Sequence, residues 1–302
     1  MTAQTSERGT RATYRRSPGS AFALWAGRVG WRHLVMIVVA AFALFPVLFV
    51  VSAAVNPVGT LSSARLWPTG AGFDNARDLF TNTPFTTWYA NSLFFALTNA
   101  VVTVLLSALA AYAFSRMRFR GRRVGMIGLL IIQMFPQFLA IVAIYLMFST
   151  IGEYRPEIGF DTRWGLLLVY LGGALSINTW LMKGFFDTVP KELDESAQMD
   201  GATHAQVFFR IMLPLVTPVL AIVGLLVFIS TINEFLMASV FLRDTGAKTL
   251  GLGLYQLVES QRNANFGMFA VGAIMLSLPT LIVFWFLQRY ITEGLTAGAV
   301  KG

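Results

Sequence analysis

Six long apolar stretches dominate this sequence and limit what it can fold into. A helix that crosses a bilayer needs about 20 predominantly apolar residues, because each adds about 1.5 Å against a hydrocarbon core of about 30 Å. Short helical hairpins in a soluble core are the alternative, but the chain has too few polar residues to cover so many apolar segments. We therefore predict an all-α, polytopic membrane protein with six transmembrane helices. They lie at about 33–55, 90–114, 124–148, 164–186, 213–240 and 266–290.

The composition supports this prediction and argues against several other classes of protein. The chain of 302 residues is 56% hydrophobic and 13% charged, whereas soluble domains have about 45–50% apolar and about 25% charged residues. It has no cysteine, and its two histidines, His33 and His204, lie far apart, so we predict neither disulfides nor a metal site. The net charge of +8 is expected of a membrane protein with basic cytoplasmic segments, so we predict no nucleic-acid partner.

The distribution of Lys and Arg predicts the orientation of the spans. Sixteen of the 23 basic residues fall on the side that holds both chain ends, and basic residues concentrate on the cytoplasmic side of a membrane. We therefore predict that both termini are cytoplasmic, with an N-terminal tail at 1–32, a permease domain in the lipid bilayer at 33–290 and a C-terminal tail at 291–302. A cleaved signal peptide is the alternative for the first span, but its apolar run is longer than an ordinary signal segment.

The cytoplasmic connection at 187–213 carries the most specific pattern in the chain. The sequence VPKELDESAQMDGATHAQVFFRIMLP predicts a short acidic helix that begins after Pro190 and stops at Gly201. Thr203 and Gln206 have the spacing of a capping box, which predicts the start of a second helix. Two helices joined by a glycine form a rigid projection that transmits force from a partner. The alternative is an amphipathic hairpin on the membrane surface.

This loop resembles the EAA motif of ABC importer permeases, whose pattern is EAAxxDGAxxxxxFxxIxLP. The one departure is Ser196, which replaces the first alanine of the motif. The resemblance implies the fold of a type I ABC importer transmembrane domain, in which the short helix couples the membrane domain to a separate ATPase. The residues to which it assigns this coupling are Glu195, Ser196, Ala197, Asp200, Gly201, Ala202, Phe208 and Pro214.

A second resemblance covers about residue 90 to the end and narrows the family. The ending GLTAGAVKG, together with KGFF at Lys183, LRD at Leu242 and QRY at Gln288, is similar to the MalG-like permeases of maltose importers. It implies a maltose/maltodextrin-type sugar importer in the bacterial cytoplasmic (inner) membrane. The implied partners are a related MalF-like permease subunit, a MalK-like ATPase subunit dimer and an extracytoplasmic sugar-binding protein.

In that family the C-terminal tail contacts the ATPase, and the last external loop enters the binding protein. The matching residues here are Gly294, Leu295, Thr296 and Lys301 in the tail, and Gly251, Gly253, Tyr255 and Gln256 in the loop. The residues of the loop themselves also allow an alternative, in which it is an interfacial segment packed against the fifth and sixth spans. Glu234, late in the fifth span, is a candidate gate or a structural group paired with Asn233 and Asn263.

The remaining candidate functions differ in the source of energy that they require. The chain has no GxxxxGK stretch, so we predict that it binds no cofactor itself and that ATP and Mg²⁺ are bound by the partner ATPase. The alternative function is an ion-coupled secondary transporter, which needs midplane carboxylates or unwound half-helices. A membrane-embedded enzyme needs a catalytic constellation within the spans, and the sequence offers none there, so we predict no catalytic residue.

Overall fold

The structure is a computed structural model that describes residues 26–56, 67–68, 70–259 and 266–299. The described residues form helices and turns, without a β-strand, and the chain divides into two units, residues 1–50 and 51–302. In chain order the helices are α1 (Trp31–Val55), α2 (Asp74–Asn82), α3 (Phe85–Arg116), α4 (Arg122–Met134), α5 (Gln137–Tyr154), α6 (Arg163–Thr188), α7 (Lys191–Met199), α8 (His204–Val207), α9 (Thr217–Ile232), α10 (Leu236–Phe241), α11 (Leu250–Glu259) and α12 (Phe266–Ala299).

Among the described residues, four helices are individually long and apolar enough to cross a bilayer: α1, α3, α6 and the Phe266–Tyr290 part of α12. Two more spans are counted if each of two bent pairs of helices forms a single span. The first pair, Arg122–Met134 with Leu139–Tyr154, is bent by 104°, and the second, His204–Leu215 with α9, is bent by 77°. The prediction of an all-α polytopic fold is confirmed, but the third and fifth predicted spans are not straight helices.

A proline lies at each of the two bends. Phe135 has extended backbone angles (φ −72°, ψ 127°) because the ring of the following Pro136 disfavours helical angles in the residue before it. Pro218 occupies the first turn of α9, where its missing N–H is tolerated, whereas further inside a helix it would break a hydrogen bond. Pro46 and Pro279, by contrast, lie inside the continuous helices α1 and α12.

The first unit is described from residue 26 to residue 50. It contains a π-helical turn, Ala26–Gly30, and most of α1. Nδ1 of His33 is 3.0 Å from the Val29 carbonyl oxygen, one turn earlier. The predicted N-terminal tail therefore lies mainly outside the described residues.

In the second unit α3 packs along both α6 and α9, and α9 packs against α12. Small side chains such as Ala96, Ala108 and Ala111 are fully buried on α3, and small residues allow membrane helices to approach closely. Between α3 and α9, Nδ2 of Asn99 donates to Oγ1 of Thr231 at 2.8 Å. This bond pairs two polar groups that are buried in the helix interface.

Three apolar clusters hold this unit together. One surrounds Tyr112 and Phe208 near the C-terminal end of α3, and it positions the 187–213 loop. A second contains Phe95 and Phe241, and the third places Trp88 beside Leu250 near the N-terminal end of α3. The third cluster positions α11, which lies in the loop predicted to be external.

Candidate coupling site

The 187–213 loop contains the predicted sharp turn after α7. Gly201 has φ +85°, in the left-handed region that glycine adopts without a steric penalty. The Gly201 N–H donates to the Gln198 carbonyl, and the Ala202 N–H donates to the Ala197 carbonyl, both at 3.0 Å. These two bonds form a Schellman motif, which satisfies carbonyl groups at the end of the helix. The predicted stop at Gly201 is confirmed.

The second half of the loop begins with the predicted capping box. The Thr203 N–H donates to Oε1 of Gln206 at 2.8 Å, and the Gln206 N–H donates to Oγ1 of Thr203 at 3.3 Å. Helix α8 then continues through a π-helical stretch, Phe208–Met212, and the short turn Leu213–Leu215 to α9. A helical segment, bent by 77° where it meets α9, therefore connects the turn at Gly201 to the membrane part of the chain.

One face of the loop is buried against α3 and α6. Phe208 is 3% exposed, and its ring centroid lies 5.2 Å from that of Tyr112 and 6.5 Å from that of Phe186. Ala197 is also buried, and Ala202 packs against the same cluster. The loop is thus fixed to two candidate spans by apolar contact as well as by its chain connections.

The opposite face of the loop is exposed and combines acidic, apolar and small residues. Oγ of Ser196 donates to the Glu192 carbonyl at 2.7 Å. The hydroxyl group of this residue, which replaces an alanine of the motif, is therefore hydrogen-bonded within α7. Leu193 and Met199 are 43% and 87% exposed. Exposed large apolar side chains beside carboxylates are typical of a surface that another protein covers. The exposed motif residues are Glu195, Ser196, Asp200, Gly201 and Pro214.

An ion pair that local sequence patterns did not predict lies beneath α7. Nε of Arg116, the last residue of α3, contacts Oδ2 of Asp194, and both side chains are 6% exposed. Nη2 of Arg116 also donates to the Val189 carbonyl at 2.7 Å. The sequence does contain one indication that Asp194 is buried. It lies three residues before Ala197, and this spacing places both residues on the same face of α7.

A second polar contact joins α3 to α6 beside this ion pair. Oγ of Ser115 donates to Oδ1 of Asp187 at 2.6 Å. Nζ of Lys183 donates to the other carboxylate oxygen of Asp187 at 2.5 Å. The C-terminal end of α3 is therefore tied to α6 through Ser115 and to α7 through Arg116.

Glu234 lies between α9 and α10, where the chain leaves the helical conformation. Its carboxylate accepts hydrogen bonds from the Tyr170 hydroxyl at 2.7 Å and from the backbone N–H groups of Met237 and Ala238 at 2.7 and 3.1 Å. Asn233 instead donates to the Ile229 carbonyl, and Asn263 lies outside the described residues. Glu234 therefore caps α10 and joins it to α6.

The loop after α10 forms a packed helix, α11. Leu250, Leu252 and Leu254 are buried, and a Cβ atom on Gly253 would lie 2.2 Å from Cε3 of Trp88, whereas Gly251 has nothing within 4 Å of that position. Gln256 accepts a hydrogen bond from Nζ of Lys248 at 2.8 Å. Gly253 and Gln256 are thus engaged within the chain, Gly251 has free space beside it, and Tyr255 is 47% exposed.

The C-terminal candidates are only partly described. Gly294, Leu295 and Thr296 belong to α12, which runs to Ala299 and so passes the predicted start of the tail at residue 291. Lys301 lies outside the described residues. Within the part of the chain that the structure describes, no group of three or more His, Asp or Glu side chains is arranged to hold a metal ion.

Residues 103–292 match the family described as "Binding-protein-dependent transport system inner membrane component". The chain is 41% identical over 282 residues to the maltose/maltodextrin transport system permease protein MalG of Escherichia coli (strain K12), which covers 89% of this chain and 95% of that protein. It is 36% identical over 278 residues to the galactooligosaccharides transport system permease protein GanQ of Bacillus subtilis (strain 168), with 91% and 96% covered.

The fold is similar to a chain in the crystal structure of a bacterial ABC transporter involved in the import of the acidic polysaccharide alginate. The TM-score is 0.74 at 24% identity, and the match covers 91% of this chain and 98% of that chain. The similarity to MalG confirms the resemblance inferred from the sequence ending. With its loop pattern formed and the family matched over more than half of its length, this chain belongs to the inner membrane components of binding-protein-dependent transport systems.

Proposed function

We propose that this chain is the channel-forming subunit of an ATP-driven, binding-protein-dependent importer of maltose, maltodextrin or a related glycoside. The observation that carries the proposal is the 187–213 loop, a capped two-helix projection with one face bound to α3 and α6 and the other exposed. The names of the relatives MalG and GanQ support an oligosaccharide as the cargo.

The proposal requires three kinds of partner. A MalK-like ATPase dimer binds ATP and Mg²⁺ and receives the exposed face of α7, where Glu195 meets a basic group and Leu193 and Met199 supply apolar contact. A related MalF-like permease completes the pathway across the bilayer. An extracytoplasmic sugar-binding protein delivers the cargo beside α11, where Tyr255 is exposed. Closure of the ATPase then displaces α7 and drives alternating access.

The proposal also fixes the orientation of the chain. The 187–213 loop must be cytoplasmic to reach an ATPase, which places the basic segment that follows α3 on the same side and α11 on the outside. Both termini are then cytoplasmic, as the positive-inside rule predicts. The tail residues Gly294, Leu295, Thr296 and Lys301 contact the ATPase on this side.

The decisive experiment measures uptake in a strain that lacks other sugar importers. The chain is expressed with its ATPase, companion permease and binding protein, and uptake of labelled maltose, maltotriose and galactotriose is followed. We expect uptake of at least one of these sugars to stop when the ATPase is inactivated and to persist when ion gradients are collapsed. Uptake that requires an ion gradient but no ATPase would instead favour the secondary transporter.

Cysteine labelling tests the orientation independently, because the chain has no cysteine of its own. Gly246 and Ala205 are both exposed in the structure, one before α11 and the other in α8. A membrane-impermeant maleimide should label Gly246→Cys in intact cells and should label Ala205→Cys only after the membrane is opened. The reverse pattern would overturn the orientation.

A further inference from the structure

Arg116, at the end of α3, makes polar contacts with the 187–213 loop. The guanidinium of Arg116 contacts Asp194 in α7, donates to the Val189 carbonyl in the connection from α6 at 2.7 Å, and donates to Oγ of the neighbouring Ser115 at 3.3 Å. Arg116 therefore links a candidate membrane span to the projecting helix and to the chain segment that precedes it.

Asp194 is buried next to this arginine. The Asp194 side chain is 6% exposed, and apart from Arg116 neither carboxylate oxygen has a hydrogen-bond donor among the described residues. Among those residues Arg116 is the partner with which Asp194 forms an ion pair. A buried carboxylate is strongly disfavoured without an opposite charge, so the position of α7 is tied to the position of the guanidinium.

The apolar contacts beneath the loop differ in kind from this ion pair. Ala197 and Phe208 pack against apolar side chains, and apolar contact has no preferred direction. A guanidinium has donors in a fixed planar arrangement, so a group that contacts Asp194 and also donates to the Val189 carbonyl meets both partners in only a narrow range of orientations. A shift of α7 along α3 can preserve apolar contact but must either break the ion pair or displace Arg116.

The chain connections show which helix needs such a link. Helix α7 is joined to α6 by a short connection and to α9 by α8 and the helical segment that follows it, so its displacement reaches these helices through the backbone. Helix α3 is distant in sequence, and the contacts with the loop described above are made by its side chains, such as Arg116 and Tyr112. We propose that Arg116 is a positioning residue that transmits displacement of α7 to α3 through Asp194. This inference rests on the proposed function, because it assumes that an ATPase displaces α7.

The experiment compares two variants with one control in the complete complex in nanodiscs. Arg116→Lys keeps the positive charge but cannot reach Asp194 and Val189 with one planar group, and Asp194→Asn removes the charge from the other partner. The control, Lys183→Gln, removes the ion pair between Lys183 and Asp187, which lies within α6 and joins no two helices. The readout is the number of ATP molecules hydrolysed per sugar transported, using the test sugar that the wild-type complex accumulates fastest.

We expect Arg116→Lys and Asp194→Asn to raise this ratio by about three- to tenfold, while Lys183→Gln keeps the wild-type ratio. The ratio is measured per assembled complex, so a loss of stability lowers the yield of complex without changing it. If Asp194→Asn fails to assemble, Arg116→Lys decides. A wild-type ratio in Arg116→Lys would overturn the inference and leave the proposed function intact. No ATP-dependent uptake by the wild-type complex would overturn both.

Discussion

The hydroxyl of Tyr170 donates a 2.7 Å hydrogen bond to Oε2 of Glu234. This bond joins the N-terminal third of α6 to the interruption between α9 and α10, where Glu234 also accepts hydrogen bonds from the N–H groups of Met237 and Ala238 in the first turn of α10. A carboxylate with three donors directed at it is held in place by the fold. The geometry therefore favours a structural role for Glu234, although an interrupted helix beside a carboxylate is also what ion coupling requires.

Two substitutions of Glu234 separate these roles. Glu234→Gln keeps an acceptor oxygen for the α10 backbone, so we expect at least about half of the wild-type uptake and a small loss of thermal stability. Glu234→Ala leaves three donors without their acceptor, and we expect a loss of about 1–3 kcal/mol for each donor that stays buried. Thermal unfolding of the purified chain and uptake in cells provide the two readouts. A stable Glu234→Gln protein without uptake would support the gate or an ion-coupled mechanism.

Two glycines in α11 form a matched pair for testing its packing. A Cβ atom on Gly253 would lie 2.2 Å from Trp88, and one on Gly251 would have no neighbour within 4 Å. We expect Gly253→Ala to destabilise the protein by about 1–3 kcal/mol through overpacking. Gly251→Ala should be neutral or stabilise it by up to about 1 kcal/mol, because alanine is the better helix former. Equal unfolding temperatures for the two variants would contradict this packing.

The features that could be predicted from the sequence are the local ones. The turn at Gly201 and the capping box of Thr203 and Gln206 are formed by hydrogen bonds between residues close in the sequence. The spacing of these residues therefore predicts both features. The apolar runs likewise predicted which segments are long enough to span a membrane. Each signal lies within one segment of chain and does not depend on how the segments pack.

The contacts that could not be predicted join residues far apart in the chain. Arg116 is one of several arginines on the predicted cytoplasmic side, and nothing near it in the sequence indicates that Asp194 lies within reach. The sequence likewise does not indicate which prolines bend their helices. Pro136 and Pro218 lie at bends, whereas Pro46 and Pro279 lie within continuous helices. Whether a proline bends a membrane helix depends on neighbouring groups that satisfy the freed carbonyl.

The turn at Gly201 has a matched control elsewhere in the chain. Gly121 has φ +89° and Gly201 has φ +85°, and a Cβ atom on either would meet nothing within 4 Å. Valine at either position should therefore suffer the same backbone strain, about 1–2 kcal/mol. We expect only Gly201→Val to raise the ATP hydrolysed per sugar, because only Gly201 joins α7 to the helix that leads into the membrane. A similar rise in Gly121→Val would show that strain alone, at either position, causes the uncoupling.

The exposed face of α11 offers the sharpest test of the binding-protein contact. Tyr255 is 47% exposed, and its ring lies 4.9 Å from that of Phe235, so an aromatic face is held at the surface. Its neighbour Leu254 is 2% exposed. If the binding protein docks here, the two residues should respond in opposite ways, since one forms the surface and the other supports the helix.

We expect Tyr255→Ala to assemble and hydrolyse ATP while sugar stays longer on the docked binding protein and uptake falls, because the side chain that competes with the sugar is lost. Tyr255→Phe keeps the aromatic face and should behave closer to the wild type. Leu254→Ala should cost about 2–5 kcal/mol of stability, yet each assembled complex should release sugar at the normal rate. Release is followed with a fluorescent label on the binding protein. Normal release from an assembled Tyr255→Ala complex would leave α11 as an interfacial segment packed against its neighbouring helices.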